Sequence, residues 1–138
     1  MKRSALIVTV VPLIAITFLL AKFAQAPWTL LRILGASLTL TAGATLTVAR
    51  LQLGNSFSLR PEAHELVATG IYSKIRNPIY VFGTILIAGV LLYLDHPRYF
   101  WLFLILLPMQ YFRARAESHV LEERFGEAYR QYKSRTWF

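Results

Sequence analysis

The sequence of 138 residues has no cysteine and is poor in histidine and acidic residues. Without thiols the chain cannot form disulfides, thiolate zinc sites, iron–sulfur clusters or a cysteine nucleophile. Its three histidines (His64, His96 and His119) are too few for a histidine-rich metal centre, so we expect no metal. The glycine pattern Gly-x-Gly-x-x-Gly is also missing, and a Rossmann-type nucleotide site is therefore not expected.

Charged residues are scarce, at 16% of the chain against about 25% in soluble domains, whereas apolar residues reach 56%. The mean hydropathy is +0.47 and the formal net charge is +8. This composition excludes disorder, a coiled coil and most soluble classes. It indicates an integral membrane protein with basic extramembrane parts.

Four apolar runs predict the helices of an all-α protein with about four transmembrane spans. The second run is long enough to cross about 30 Å of hydrocarbon, whereas the last two are short. A polar turn at 95–98 separates the last two runs and predicts a helical hairpin. The four runs are 5–20, 28–49, 79–94 and 99–112.

Pro12, Arg32 and Pro108 are exceptions within these apolar runs, and each leads to a separate structural expectation. The first run could also be a secretory signal, but Pro12 and the following Lys22 favour a resident helix. Arg32, near the start of the second run, is expected to snorkel to the membrane interface beside Trp28. Pro108 is expected to kink the fourth helix.

The distribution of basic residues predicts the orientation. With both termini in the cytoplasm, twelve of the fifteen Lys and Arg residues lie on the cytoplasmic side. Only Lys22, Arg32 and Arg98 then lie outside, as the positive-inside rule requires. The expected localisation is therefore a multi-pass membrane protein with both termini cytoplasmic.

The chain divides into two parts. Residues 1–54 carry two N-terminal transmembrane helices, and residues 55–138 carry a polar loop, the hairpin and a C-terminal tail. Because the hairpin returns the chain to the side from which it left, we expect residues 64–80 and 113–132 to face each other at one membrane surface.

The tail predicts an amphipathic helix, since apolar side chains recur there at helical spacing: Leu121, Phe125, Tyr129 and Tyr132. Its basic residues alternate with glutamates, which argues against nucleic-acid binding and favours anchoring to anionic lipid. No Asp or Glu lies within the four apolar runs. This absence argues against a proton-coupled exporter, which needs a carboxylate inside the membrane.

Two segments carry a recognisable pattern. Residues 64–80 read His-Glu-Leu-Val-Ala-Thr-Gly-Ile-Tyr-Ser-Lys-Ile-Arg-Asn-Pro-Ile-Tyr, and residues 113–132 combine Arg, Glu, Leu, Phe-Gly and two tyrosines at fixed spacing. Together, over about residues 59–135, they resemble the isoprenylcysteine carboxyl methyltransferases and the related membrane phospholipid methyltransferases. In that family a His-x-Leu-Val-x-x-Gly-x-Tyr stretch precedes Arg-His-Pro-x-Tyr at the start of a transmembrane hairpin.

The resemblance implies a membrane enzyme that transfers a methyl group from S-adenosylmethionine to a lipophilic acceptor, most closely as the isoprenylcysteine carboxyl methyltransferases do. Residues 55–138 would then be the catalytic region, and Arg113 the residue that orients the substrate. The positions that match the family's cofactor contacts are His64, Leu66, Val67, Tyr72, Asn77, Pro78, Tyr80 and Glu117.

Two positions depart from the family pattern. Asn77 replaces the usual histidine, as it does in the phospholipid branch, which leaves the acceptor class open. Ser118 replaces the second glutamate of the tail pair.

The chemistry of the residues agrees with this ligand. Glu117 can pair with the ammonium group of S-adenosylmethionine or accept from its ribose. Arg76, with backbone N–H groups at the start of the third helix, suits the carboxylate. Tyr72 and Tyr80 offer aromatic faces for the adenine and the sulfonium.

Other functions and partners are weighed against this hypothesis. The alternatives are an NADPH-dependent membrane sterol or steroid reductase, and a non-enzymatic small helical transporter or scaffold. Asn77-Pro78-Ile79-Tyr80 reverses the Pro-Asn-Tyr order expected of such reductases, which favours a methyltransferase.

The expected partners are the bilayer and a prenylated cysteine or a lipid amine as acceptor. A homo-oligomer stays open, because short helices expose much lipid-facing surface.

Overall fold

The computed structural model describes residues 3–54 and 66–138, with side chains from residue 10 onward. No β-strand occurs in these residues, and a single parallel bridge joins Ile75 to Trp137. The predicted all-α class is confirmed, whereas His64 lies outside the described residues. Short 3₁₀ helices span Gly70–Ser73 and Pro97–Leu102, and the α-helices described are α1 (Arg3–Lys22), α2 (Leu30–Leu53), α3 (Pro78–Tyr93), α4 (Phe103–Phe125) and α5 (Glu127–Arg135).

Local sequence signals set the helix ends. Thr29 caps α2, because its hydroxyl accepts the N–H of Arg32 at 3.3 Å. Pro78 is the first residue of α3, where the N–H that proline lacks would have no helical partner. Gly54 and Gly126 end α2 and α4 with φ values of 52° and 50°, a region that favours glycine.

The most extensive contact among the described helices joins α2 to α3, which run antiparallel. A Cβ on Gly89 would lie 2.7 Å from the backbone N of Thr39 and 3.0 Å from the carbonyl oxygen of Gly35. Thr39 is fully buried, and its hydroxyl donates to the Gly35 carbonyl at 2.7 Å. Small residues therefore let the two main chains touch, which is how apolar helices associate in the absence of a hydrophobic driving force.

Arg32 does not snorkel as predicted. Its side chain is buried, and its Nε donates to the carbonyl oxygen of Tyr93 at 3.0 Å. Its guanidinium also lies 5.3 Å from the Tyr93 ring centroid, and the Tyr93 hydroxyl donates to the carbonyl of Leu20 at 2.7 Å. The prediction of an interfacial anchor is wrong, because the carbonyl end of α3 offers this cation a better site.

The helices differ in their ability to cross a membrane. Among the described residues, only α2 is both long and apolar enough to do so by itself, whereas α3 and Val10–Lys22 of α1 are shorter apolar helices. The fourth apolar run begins as the 3₁₀ helix and continues as α4 to Phe125, well beyond its predicted end at Phe112. Four separate spans therefore stay a prediction.

The tail is not the single amphipathic helix that was predicted. α4 ends at Phe125, Gly126 leaves the helical conformation with a φ of 50°, and α5 begins at Glu127. The apolar stripe is consequently divided between two helices. Tyr129, on α5, is among the most buried side chains of the described residues.

The close approach of α2 and α3 predicts a pair of alanine variants with different stabilities. Gly89→Ala should lower the free energy of unfolding by about 1–3 kcal/mol, because the added methyl group overlaps Thr39. Gly83→Ala, on the same helix with nothing within 4 Å of an added Cβ, should be neutral or slightly stabilising. Thermal unfolding in detergent micelles compares the two variants, and equal midpoints would contradict the packing described.

Candidate active site

Three polar side chains meet at one end of the α3–α4 hairpin. The Tyr80 hydroxyl donates to Oε1 of Glu117 at 2.6 Å, and Nε of Arg113 lies 3.6 Å from the same oxygen. Arg113 and Glu117 are four residues apart and share one face of α4. Tyr80 reaches them from the first turn of α3. The Glu117 carboxylate, whose side chain is 28% exposed, is thus held at a fixed position beside a cation.

A second polar contact lies deeper in the hairpin. The Thr84 hydroxyl is 2.6 Å from Oε1 of Gln110 and 2.8 Å from the carbonyl oxygen of Tyr80. Gln110 and Thr84 lie outside the residues that the family pattern indicates. A signal was present, since Gln110 is the one amide in an otherwise apolar run and precedes Arg113 by three residues, on the same helix face. The polar surface therefore extends from Glu117 toward the apolar part of the hairpin.

The segment before α3 brings Tyr72 toward this end of the hairpin. A side-chain oxygen of Gln52, on α2, accepts the N–H of Ile71 at 2.9 Å and fixes the 3₁₀ turn. Tyr72 is 6% exposed, and its hydroxyl has no hydrogen-bond partner among the described residues. Burial raises the pKa of Tyr72, and the negative charge of nearby Glu117 raises it further. Tyr72 therefore presents a buried, neutral hydroxyl.

The end of the chain lies against the same segment. Residues Tyr132–Phe138, which we call the C-terminal clasp, contact residues 72–77 through both main chain and side chains. The Tyr132 hydroxyl donates to the carbonyl of Tyr72 at 2.8 Å, and the N–H of Trp137 donates to the carbonyl of Lys74 at 3.0 Å. Loop and tail thus meet on one side of the hairpin, as the topology predicted.

The structure brings together part of the predicted site. Tyr72, Tyr80, Arg113 and Glu117 lie at one end of the hairpin, but what each of them binds stays a prediction. Asn77 caps α3 without a side-chain hydrogen bond, Pro78 is buried, and Leu66 and Val67 are half-buried.

Arg76 is in contact with the C-terminal clasp. Its Nη1 donates to the carbonyl oxygens of Lys133 and Thr136 at 3.1 and 3.4 Å. The backbone N–H groups of Arg76 and Asn77 donate to Trp137 and Phe138. Two of the N–H groups near the start of α3, those of Arg76 and Asn77, are therefore engaged with the C-terminal clasp. The described residues contain no cluster of His, Asp and Glu that could hold a metal ion.

The described residues thus gather ionisable side chains at one end of an apolar helical hairpin. A profile of the phospholipid methyltransferase family matches residues 28–128, and the chain belongs to that family. The match contains Tyr72, Tyr80, Arg113 and Glu117 and ends before the C-terminal clasp. Neither the curated proteins nor the solved structures gave a significant match.

The raised pKa of the Tyr132 hydroxyl leads to a prediction for the free energy of unfolding at alkaline pH. Burial raises the pKa of Tyr132 to about 12, whereas an unfolded tyrosine titrates near 10. The hydroxyl therefore contributes fully below pH 10, and this contribution is lost as pH rises from 10 to 12. Tyr132→Phe should be less stable than the wild type by about 1 kcal/mol at pH 9, and the difference should shrink toward pH 12.

Thermal unfolding at several pH values from 9 to 12 measures this difference. A constant difference between Tyr132→Phe and wild type over the whole range would contradict the assignment.

Proposed function

We propose that the protein is an S-adenosylmethionine-dependent membrane methyltransferase that modifies a lipophilic acceptor. The observation that carries the proposal is the Tyr80–Glu117 hydrogen bond. It joins the two segments that resemble the family, and both residues lie inside the stretch that matches its profile. In the proposed orientation this end of the hairpin faces the cytoplasm, and both termini are cytoplasmic.

The residues present suit the proposed cofactor. Glu117 supplies a partly buried carboxylate for an ammonium group. The Tyr72 hydroxyl is buried and has no hydrogen-bond partner among the described residues. A bound ligand can supply that partner. The rings of Tyr72 and Tyr80 supply surfaces for adenine. The other proposed contacts are His64, Leu66, Val67, Arg76, Asn77 and Pro78.

Arg113 and its apolar surroundings determine how the acceptor is held. When bound, S-adenosylmethionine supplies a methyl group on a positively charged sulfur. Arg113 stays protonated, so it orients an anionic group of the acceptor and does not act as a base. Met109, one turn before Arg113 on the same face of α4, is exposed, as is Ile105 one turn earlier. An acceptor chain can therefore lie along α4 while its polar end reaches Arg113.

An acceptor carboxylate fits this site with the fewest additional groups. A carboxylate is already nucleophilic at neutral pH, so no side chain has to remove a proton. Weakly polar surroundings favour the reaction, because the negative charge of the acceptor is neutralised as the bond forms. Positioning by Arg113 then supplies most of the rate. This is the chemistry of an isoprenylcysteine-type carboxyl O-methyltransferase.

A phospholipid amine is the second candidate acceptor, favoured by the family to which the chain belongs. Arg113 would then hold the lipid phosphate, and the amine must lose a proton before or during transfer. Among the groups at the site, Glu117 is the base within reach, although its Oε1 already accepts the Tyr80 hydroxyl at 2.6 Å. Membership of a methyltransferase family favours either reaction over the reductase and transporter alternatives.

Loss of the Glu117 charge should impair the methyl donor. Glu117→Gln keeps the shape of the side chain but removes a charge-assisted contact, so we expect the KM for S-adenosylmethionine to rise about 10- to 100-fold. Arg113→Ala should instead raise the KM for the acceptor or lower kcat. Both are measured by transfer of a labelled methyl group into a lipid extract, with protein that remains folded in detergent.

Glu123→Gln is the matched control, since it makes the same change on the same helix at an exposed side chain. Its kinetics should equal those of the wild type. Full turnover by both Glu117→Gln and Arg113→Ala would refute the assignment of the site.

Ligand binding and product analysis test the activity itself. At one hundred times its Kd, S-adenosylhomocysteine should stabilise the protein by about 2.7 kcal/mol, whereas NADPH at equal concentration should not. Thermal shift measures both effects, and stabilisation by NADPH alone would favour the reductase alternative. Alkali releases methanol from a methyl ester but leaves an N-methyl group intact, so treatment of the labelled product separates the two acceptors.

A further inference from the structure

The C-terminal clasp is joined to the loop before α3 by main-chain hydrogen bonds. The N–H of Trp137 donates to the carbonyl of Lys74 at 3.0 Å, and the N–H of Arg76 donates to the carbonyl of Trp137 at 3.2 Å. The N–H of Asn77 donates to the carbonyl of Phe138 at 3.0 Å. The two segments therefore pair as a short parallel ladder that ends where α3 begins.

Side chains strengthen the same junction from both directions. The Arg76 guanidinium donates to the carbonyl of Lys133, in the last turn of α5, and to that of its C-cap residue Thr136, where a cation is favourable. In the opposite direction, the Tyr132 hydroxyl donates to the carbonyl of Tyr72 at 2.8 Å. The loop thus caps the helix of the tail, and the tail binds the main chain of the loop at Tyr72 itself.

Neither partner is long enough to hold this geometry alone. α5 has nine residues, fewer than an isolated helix needs in water. Between Leu66 and Asn77 the only regular structure is a 3₁₀ helix of four residues. Ordering either segment costs conformational entropy that its own contacts do not offset. Apart from the contact of Gln52 with Ile71, the two segments therefore order each other.

We infer that the C-terminal clasp is a positioning element of the cofactor site. It fixes the main chain at Tyr72 and at the first turn of α3, and the affinity for the methyl donor depends on it, whereas the chemical step does not. This inference rests on the proposed function, because it takes Tyr72 and Tyr80 as contacts of the donor. It concerns residues beyond the stretch that matches the family profile.

Two substitutions at position 137 test the inference. Trp137→Pro removes the N–H that donates to Lys74, and the preceding Thr136, at φ −120° and ψ 151°, already has the backbone that precedes proline. Trp137→Ala keeps that N–H and removes only an exposed indole. We expect Trp137→Pro to raise the Kd for S-adenosylhomocysteine and the KM for the donor about five- to tenfold, and Trp137→Ala to change them less than twofold.

Further readouts separate positioning from general stability. For Trp137→Pro the KM for the acceptor, and kcat at saturating donor, should stay within twofold of the wild type. If the variant instead loses folded protein while the folded fraction binds S-adenosylhomocysteine with unchanged Kd, the clasp is only structural and the inference is wrong. If Trp137→Pro does not fold, Tyr132→Phe decides: we expect a rise in Kd of about threefold, and no rise refutes the inference.

Measurements on the wild-type protein distinguish a failure of this inference from a failure of the proposed function. Titration calorimetry of the full chain with S-adenosylhomocysteine comes first. Absence of binding to the wild type would overturn the proposed function and the inference together. Binding to the wild type with the same Kd in Trp137→Pro would overturn the inference alone.

Discussion

The direct contact of the α2 and α3 main chains is the constraint on which the rest of the structure depends. Gly35 and Gly89 leave no room for a Cβ between the helices, so α3 has one position relative to α2. At one end this register brings Arg32 to the carbonyl of Tyr93, which secures the start of the hairpin turn. At the other end it fixes Pro78, and with it the loop that leads into α3. Both ends of α3 are therefore positioned by the contact at Gly35 and Gly89, which have no functional side chains.

α4 completes the candidate site. Because it continues unbroken through 23 residues, it extends beyond the length of α3 and places Glu117 opposite Tyr80. A carboxylate near the apolar part of a protein loses hydration, and the Tyr80 hydroxyl and Arg113 replace some of it. The carboxylate proposed to bind the donor's ammonium and the guanidinium proposed to bind an anionic acceptor are thereby held within one turn of each other.

The sequence was sufficient for the features that depend on side-chain pattern. The all-α class, a turn after α3 and the meeting of loop and tail followed from hydropathy and from the return of the hairpin, although the turn lies at 94–96 and Pro97 already begins a 3₁₀ helix. It was insufficient where a contact depends on a partner helix. Arg32 looks like an interfacial anchor until the free carbonyls of α3 are placed beside it. The apolar stripe of the tail continues across Gly126, so its spacing concealed the break that the glycine introduces.

The C-terminal clasp was beyond the reach of sequence for a further reason. Its hydrogen bonds to Lys74, Arg76 and Asn77 are mainly between backbone groups, which every residue type carries, so no pattern of side chains in the sequence predicts them.

The candidate site consequently has two halves that are held in different ways. Helix packing fixes Tyr80 and Glu117, whereas Tyr72 is held by Gln52 of α2 and by pairing between short segments. Since short paired segments open more readily than packed helices, the half that contains Tyr72 is the one whose order a bound ligand can increase. Ligand affinity in such a site is governed by the cost of ordering the loop as much as by the contacts that the ligand makes.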